Sequence, residues 1–169
     1  MTEAEVQTAI AKDFPSVTGP AKELQNRAER TTVLAIKATD VLPDGGAAEI
    51  SYIFGYKSKT LIQIIVNWSK QTDDALTPDA LVANGEALRS YFVGEGFPAS
   101  TVISNIALPD GVLLFRGTDS DGHQVLLVLK GTTTGTGTGP KTFTAQSTTL
   151  FYIQTTTNPD VFRVPAGKF

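Results

Sequence analysis

The chain has 169 residues, 14 basic and 17 acidic side chains, a net charge of −3 and no cysteine. It is long enough to bury roughly 70% of its unfolded surface as one domain without metal or disulfide staples. The scattered, mildly acidic charge leaves no electrostatic footprint for a nucleic acid, the missing cysteines exclude thiol catalysis, iron–sulfur clusters and Cys-based zinc sites, and no run of about 18 apolar residues offers a membrane span.

The first predicted element is a helix over Thr2–Phe14. Thr2 and Glu5 form a capping box, Val6, Ala9, Ile10 and Phe14 recur at helical spacing, and Pro15 stops the run. Gly19 to Arg30 has Leu24 as its one large apolar residue and reads as a surface connection or a short second helix. Thr32–Thr39 reads as a strand buried on most of both faces. Ala48–Phe54 and Leu61–Trp68 form a hairpin. A loop centred on Ser58 sets Phe54 opposite Ile62, Tyr52 opposite Ile64, Ile50 opposite Val66 and Ala48 opposite Trp68, which makes one continuous apolar face. The reverse face carries Glu49, Ser51, Ile53, Gln63, Ile65 and Asn67.

Thr77-Pro78 opens a second helix as N-cap and first helical position, with Leu81, Val82, Leu88, Tyr91 and Phe92 expected on its buried side and Gly94 and Gly96 closing it. Gly85 inside it costs about 1 kcal/mol relative to Ala and marks a close approach to a strand. Val112–Phe115 and Val125–Leu129 are apolar on both faces, as strands covered on both sides or central in a sheet would be. Gly131–Gly139, rich in Gly and Thr, reads as a mobile loop. Lys141–Thr155 resumes a strand, and Asn158-Pro159-Asp160 turns the chain into a last segment, Val161–Val164.

Leu42-Pro43-Asp44-Gly45 recurs as Leu108-Pro109-Asp110-Gly111, each copy after a helix ending in Phe-Pro and before a hairpin. The pattern suggests a tandem pseudo-repeat of helix plus three strands, with halves at 1–70 and 77–169 of a single domain spanning 1–169. Against it stand the drifting spacing and the ordinariness of Pro-Asp-Gly as turn chemistry. The expected fold is α+β: two helices packed on antiparallel sheet of six to eight strands, continuous or in two packed halves.

Catalytic motifs are missing. Gly-x-Ser-x-Gly, Ser-x-x-Lys, paired histidines and a phosphate-cradling loop are all absent, so no catalytic residue, metal ligand or cofactor is assigned. His123, the single histidine, follows Asp119-Ser120-Asp121-Gly122. An EF-hand would need Glu where Val128 stands, so the segment reads as a hairpin turn. Surface chemistry remains: Tyr56, Lys57 and Lys59 at one hairpin tip, with Ile53, Gln63 and Ile65 on the strand face behind it, form the candidate binding residues. The competing reading of the tip is a lysine-decorated turn that keeps a strand edge from pairing.

Tyr52-Ile53-Phe54-Gly55-Tyr56-Lys57-Ser58-Lys59-Thr60-Leu61 with Asn67-Trp68 resembles small uncharacterised bacterial proteins with an aromatic Gly-Tyr-Lys hairpin. That resemblance implies a bacterial source and brings no known activity with it. The paired helix-and-hairpin layout is similar in architecture to tandem-repeat inhibitor and envelope-assembly modules of bacteria. The functional expectation is a non-enzymatic binding or accessory domain that presents a sheet face to a protein or envelope component, or self-associates through a sheet edge. The alternative is a small-molecule-binding domain or hydrolase with a pocket between helices and sheet, using Tyr52, Tyr91, Arg116 and His123. The N-terminus lacks a signal-peptide profile; a helix start directly after Met1, abundant Thr and Gly and the single Met favour a chain whose leader has been removed, hence a periplasmic or extracellular protein, and otherwise a cytoplasmic one.

Overall fold

The computed structural model describes residues 1–39, 41–135 and 141–164. Helix α1 (Glu3–Asp13) is followed by strands β1 (Lys22–Asn26), β2 (Thr31–Ala38), β3 (Ala48–Phe54) and β4 (Leu61–Ser69). Helix α2 (Pro78–Gly94) is followed by β5 (Ile106–Leu108), β6 (Gly111–Thr118), β7 (Gln124–Thr134) and β8 (Thr142–Ile153). The eight strands form one antiparallel sheet in the order β1-β2-β3-β4-β8-β7-β6-β5. The α+β expectation holds with sheet predominating, and the sheet is continuous rather than split into two packed layers.

Cross-strand register fixes which side chains share a face, because neighbours directly opposite one another point the same way. Leu34, Tyr52, Ile64, Tyr152 and Val125 form one row across five strands, and Ile36, Ile50, Val66, Leu150 and Leu127 form the next. Both helices cover this face. Asp13, at the end of α1, acts on the Tyr52 phenol, which burial first and that carboxylate second push up to about 12. On the other half, Phe92 of α2 stacks on Phe115, and the Thr148 hydroxyl donates to the Leu81 carbonyl at 2.6 Å. Val6 and Ile10 of α1 and Leu81 and Phe92 of α2 join the same buried cluster as Phe54, Trp68 and Leu127.

Several local expectations are met. Thr2 and Glu5 make the reciprocal capping box, with N–H donors satisfied at 2.6 and 3.4 Å. Thr77 caps α2 by accepting from the Ala80 N–H, and Pro78 sits in its first turn. Tyr52 faces Ile64 and Ile50 faces Val66. A bulge between Ile53 and Phe54 then brings Phe54 opposite Leu61 instead of Ile62, and the extra residue, Ile62, turns into the core.

Others are corrected. The stretch around Leu24 is neither helix nor plain connection but the edge strand β1. All five of its residues are exposed, so it has no periodicity to betray it; pairing with β2 imposes its shape. Val82 and Tyr91 lie outside the buried stripe of α2, since a rotation of 100° per residue cannot turn both Leu81 and Val82, or both Tyr91 and Phe92, to the sheet. Leu81, Asn84, Gly85 and Phe92 form the stripe instead, with the Asn84 amide donating to the Gly45 carbonyl at 2.8 Å. Strands β6 and β7 meet the second of their two expectations, lying inside the sheet, with α2 over one face. The first part of the Gly/Thr segment is strand: β7 runs to Thr134, paired with Thr142, while residues 136–140 lie outside the described residues.

Gly85 marks the closest approach of α2 to the sheet. A Cβ there would lie 2.6 Å from Leu114 Cδ1, on the residue that bulges from β6. Gly85→Ala is expected to destabilise the fold by about 1–3 kcal/mol from overpacking, in spite of the ~1 kcal/mol gain in helix propensity. In urea denaturation, Gly85→Ala combined with Leu114→Val should recover part of that loss; a more stable single variant would refute the close contact.

Candidate functional site

The hairpin tip between β3 and β4 is clasped by the C-terminal segment. The Asp160 carboxylate accepts from the Ser58 N–H at 2.7 Å and from the Lys57 N–H at 3.1 and 3.2 Å, while its carbonyl accepts from the Tyr56 N–H at 2.8 Å. The N–H and hydroxyl of Ser58, then the N–H and charge of Lys57, hold Asp160 below the usual carboxylate range. Further along, the Phe162 N–H donates to the Glu29 carbonyl and the Phe162 ring lies edge-on to Tyr56. The Arg30 guanidinium sits 3.8 Å from the Phe162 centroid. Lys59 reaches over the Tyr56 ring at 5.7 Å. Of the six candidate binding residues, Tyr56, Lys57 and Lys59 therefore belong to a turn whose backbone and ring are already engaged from within the chain.

Ile53, Gln63 and Ile65 lie on the opposite face from both helices. Ile53 is directly across from Gln63, which is across from Ile153; Ile65 lies between Ser51 and Phe151, and the same row continues into Leu126 and Arg116. The result is a half-buried apolar stripe crossing β3, β4, β8 and β7, with no helix over it. Phe151 and Leu126 were missed from sequence because β7 and β8 are apolar at both parities, so alternation could not say which member faces outward. At its end, Ile53, Gln63 and Ile153 meet Phe162 of the clasp around a cavity of about 420 Å³.

On the helix-bearing face, α1 covers β2 to β4 and α2 covers β6 to β8. Between them, at the end nearest Phe97, the sheet is left open. Two adjoining cavities of about 370 and 430 Å³ share Phe97, Asp119, Val125 and Tyr152. The first is floored by Ile62 and Ile64 and carries His123 and Gln154 at its rim; the second is walled by Tyr91, Phe92 and Glu95. Burial, followed by the charges of Tyr91 and Glu95, raises the Tyr152 pKa, and a hydrogen bond to Glu95 raises that of Tyr91. The four polar residues expected to meet in one pocket do not meet. Tyr91 and His123 line these adjoining cavities, Tyr52 lies under α1, and Arg116 points to the other face.

Asp119, Asp121 and His123 are the one group among the described residues whose carboxylate and imidazole ligand atoms come together, within 4.8 Å of one another. The Asp119 side chain is already committed to its turn. It accepts from the N–H groups of Asp121 and His123 at 2.9 and 2.8 Å, and its other oxygen lies 3.0 Å from His123 Nδ1. Burial opposes ionisation of Asp119, but these donors outweigh it and keep the pKa low. The segment is thus a hairpin turn organised by a carboxylate, with the imidazole half-exposed beside it.

Compared with protein-family models, with curated proteins and with solved structures, the chain matches none. The reading of its surfaces rests on their chemistry.

The clasp predicts a pH effect with a definite sign. Because Asp160 is held below the ordinary value of about 3.9, its contribution is full above that pH and is lost as pH falls through the lower folded-state value. Protection factors at the Lys57 and Ser58 amides, taken against the intrinsic exchange rate at each pH, should fall on acidification, and Asp160→Asn should lack this protection already at neutral pH. Unchanged protection in Asp160→Asn would show that the carboxylate does not hold the tip.

Proposed function

We propose that this protein is a non-enzymatic binding domain that presents the helix-free face of its sheet to a partner protein with an apolar, acidic-rimmed surface. The observation that carries the reading is the stripe of Ile53, Ile65, Phe151, Ile153 and Leu126, apolar side chains aligned across four adjacent strands and bare of any helix. Sheet faces of this kind are stabilised when a second surface excludes water from them. Charge complementarity supplies the acidic rim. Within the paired strands, the register directs Lys22, Lys37, Arg116 and Lys130 to this face against Glu49, with Lys130 already paired to Asp110 at 2.9 Å, although the chain as a whole is acidic. Arg116 is part of the apolar row, and its buried Nε has no hydrogen-bond partner among the described residues.

A pseudo-repeat is part of the same proposal. A two-fold axis between β4 and β8 would relate α1 and β1–β4 to α2 and β5–β8, and the strand order supports that relation. It keeps both helices on one face and maps each strand onto one of opposite direction. Each unit is then a helix plus four strands. The two Leu-Pro-Asp-Gly turns fall at unlike places, one between β2 and β3 and the other between β5 and β6, so the motif is not the trace of the repeat.

The docking surface is tested with Ile65→Glu and Phe151→Glu. Proteins captured by the wild-type domain would be identified, purified and titrated against each variant by calorimetry. Binding weakened about tenfold or more by either substitution, at unchanged circular dichroism and for a partner with an acidic apolar surface, is the expected result. Equal binding by both variants, or no purified partner that binds, would overturn the proposal. Light scattering of the domain alone reads the competing occupant: a doubled mass that Ile65→Glu abolishes would make the partner a second copy of this chain.

A further inference from the structure

The cleft between the helices has a chemistry unlike that of the bare sheet face. Tyr91 and Tyr152 are large aromatics left 58% and 39% exposed, and both rings lie edge-on to the buried Phe92, at 5.2 and 6.1 Å. Phe97, itself edge-on to Phe115, closes the far side. Aromatic faces carry negative charge density, so a concave group of them attracts cations. Two carboxylates, Glu95 and Asp119, stand at the same cavity, and neither Lys nor Arg lines it. Glu95 has the Tyr91 hydroxyl as partner and makes no ion pair with Lys or Arg among the described residues, while Asp119 is paired with His123. Exposed aromatic surface, a Glu95 carboxylate with no cationic partner among the described residues and a volume of about 430 Å³ thus coincide.

We infer that this cleft is a binding site for an organic ammonium group, seated against Tyr91, Phe97 and Tyr152 and balanced by Glu95. The cavity admits a group of a few heavy atoms, the size of a trimethylammonium or the end of a lysine side chain. Both share the chemistry of a cation with an apolar stem. The stem has a place to lie, since the adjoining cavity continues over Ile62, Ile64 and Val125.

The experiment uses the full chain and three probes: choline, Nα-acetyl-lysine methylamide, and 3,3-dimethylbutanol as the neutral isostere of choline. Chemical-shift titrations followed at the amides of Tyr91, Glu95, Phe97 and Tyr152 should show saturable binding of at least one cation, with a dissociation constant on the order of 1 mM for an exposed aromatic site. The neutral isostere should bind about tenfold more weakly, and added salt should weaken the cation alone. Glu95→Gln and Tyr152→Leu should each reduce affinity by about threefold to tenfold; Glu95→Gln alters an exposed side chain and leaves the fold intact. Preference for choline over the lysine amide assigns the site to free quaternary amines, and the reverse to lysine side chains of a peptide. Equal binding of choline and its isostere, no saturation by either cation, or cation binding unaltered in both variants would overturn the inference. None of these outcomes depends on the sheet-face proposal, whose variants lie on the other side of the molecule.

Discussion

Everything in this architecture depends on the pairing of β4 with β8. Residues 63–69 meet 147–153 across seven consecutive pairs, joining residues 78 to 90 positions apart into one sheet. Without that seam there would be two four-stranded ribbons, each with one helix and one raw edge, and neither would have the area to bury its apolar face. With it, Val66 and Leu150 lie side by side at the centre of the core, and the Thr149 hydroxyl donates to the Asn67 side-chain carbonyl at 2.9 Å on the opposite face. Placing the longest and most apolar strands in the middle leaves the edges to β1 and β5. Both are short, and β1 is polar except at Leu24, which is how antiparallel proteins keep their margins from recruiting other chains.

The seam also explains where the two candidate surfaces lie. Each helix shields the strands of its own half, so the region over the junction receives cover from neither at one end. Ile64 and Tyr152, a directly opposed pair across the seam, form the floor left there. On the reverse side the next pair, Ile65 and Phe151, is the centre of the apolar stripe. One boundary between two halves thus generates a concave aromatic cleft on one side and a flat greasy band on the other. Their chemistry diverges because the cleft collects carboxylates from the turns that end α2 and β6, whereas the band collects lysines from strand interiors.

What could be read from the residues alone follows from how local the information was. Capping by Thr2 and Thr77, the close approach at Gly85 and the Tyr52–Ile64 register are written in neighbouring residues and emerge as expected. Strand β1 is not, because five exposed residues acquire strand form only through a partner. The role of Asp160 was equally hidden: Asn-Pro-Asp announces a turn, but nothing in it says that the carboxylate will travel a hundred residues back to hold Lys57 and Ser58. The hairpin-tip lysines attracted notice because they were conspicuous, and the structure places them in a clasped turn. Phe151, Tyr152 and Phe97 were inconspicuous, since an aromatic in an apolar run reads as core until the sheet order shows what lies above it. The structural seam between halves, visible only in three dimensions, was what the sequence could not supply.

The position of β8 has a consequence for how the molecule is made. It is the last of the eight described strands in chain order and the one inserted between two that precede it, β4 and β7. Until β8 emerges, therefore, the growing chain carries two open hydrogen-bonding margins rich in Ile, Val and Leu. Long-range pairing of that kind is slow to nucleate, and intermediates with such margins aggregate readily. Strand β8 acts as a keystone, closing both margins at once when residues 142–153 pair with their two neighbours.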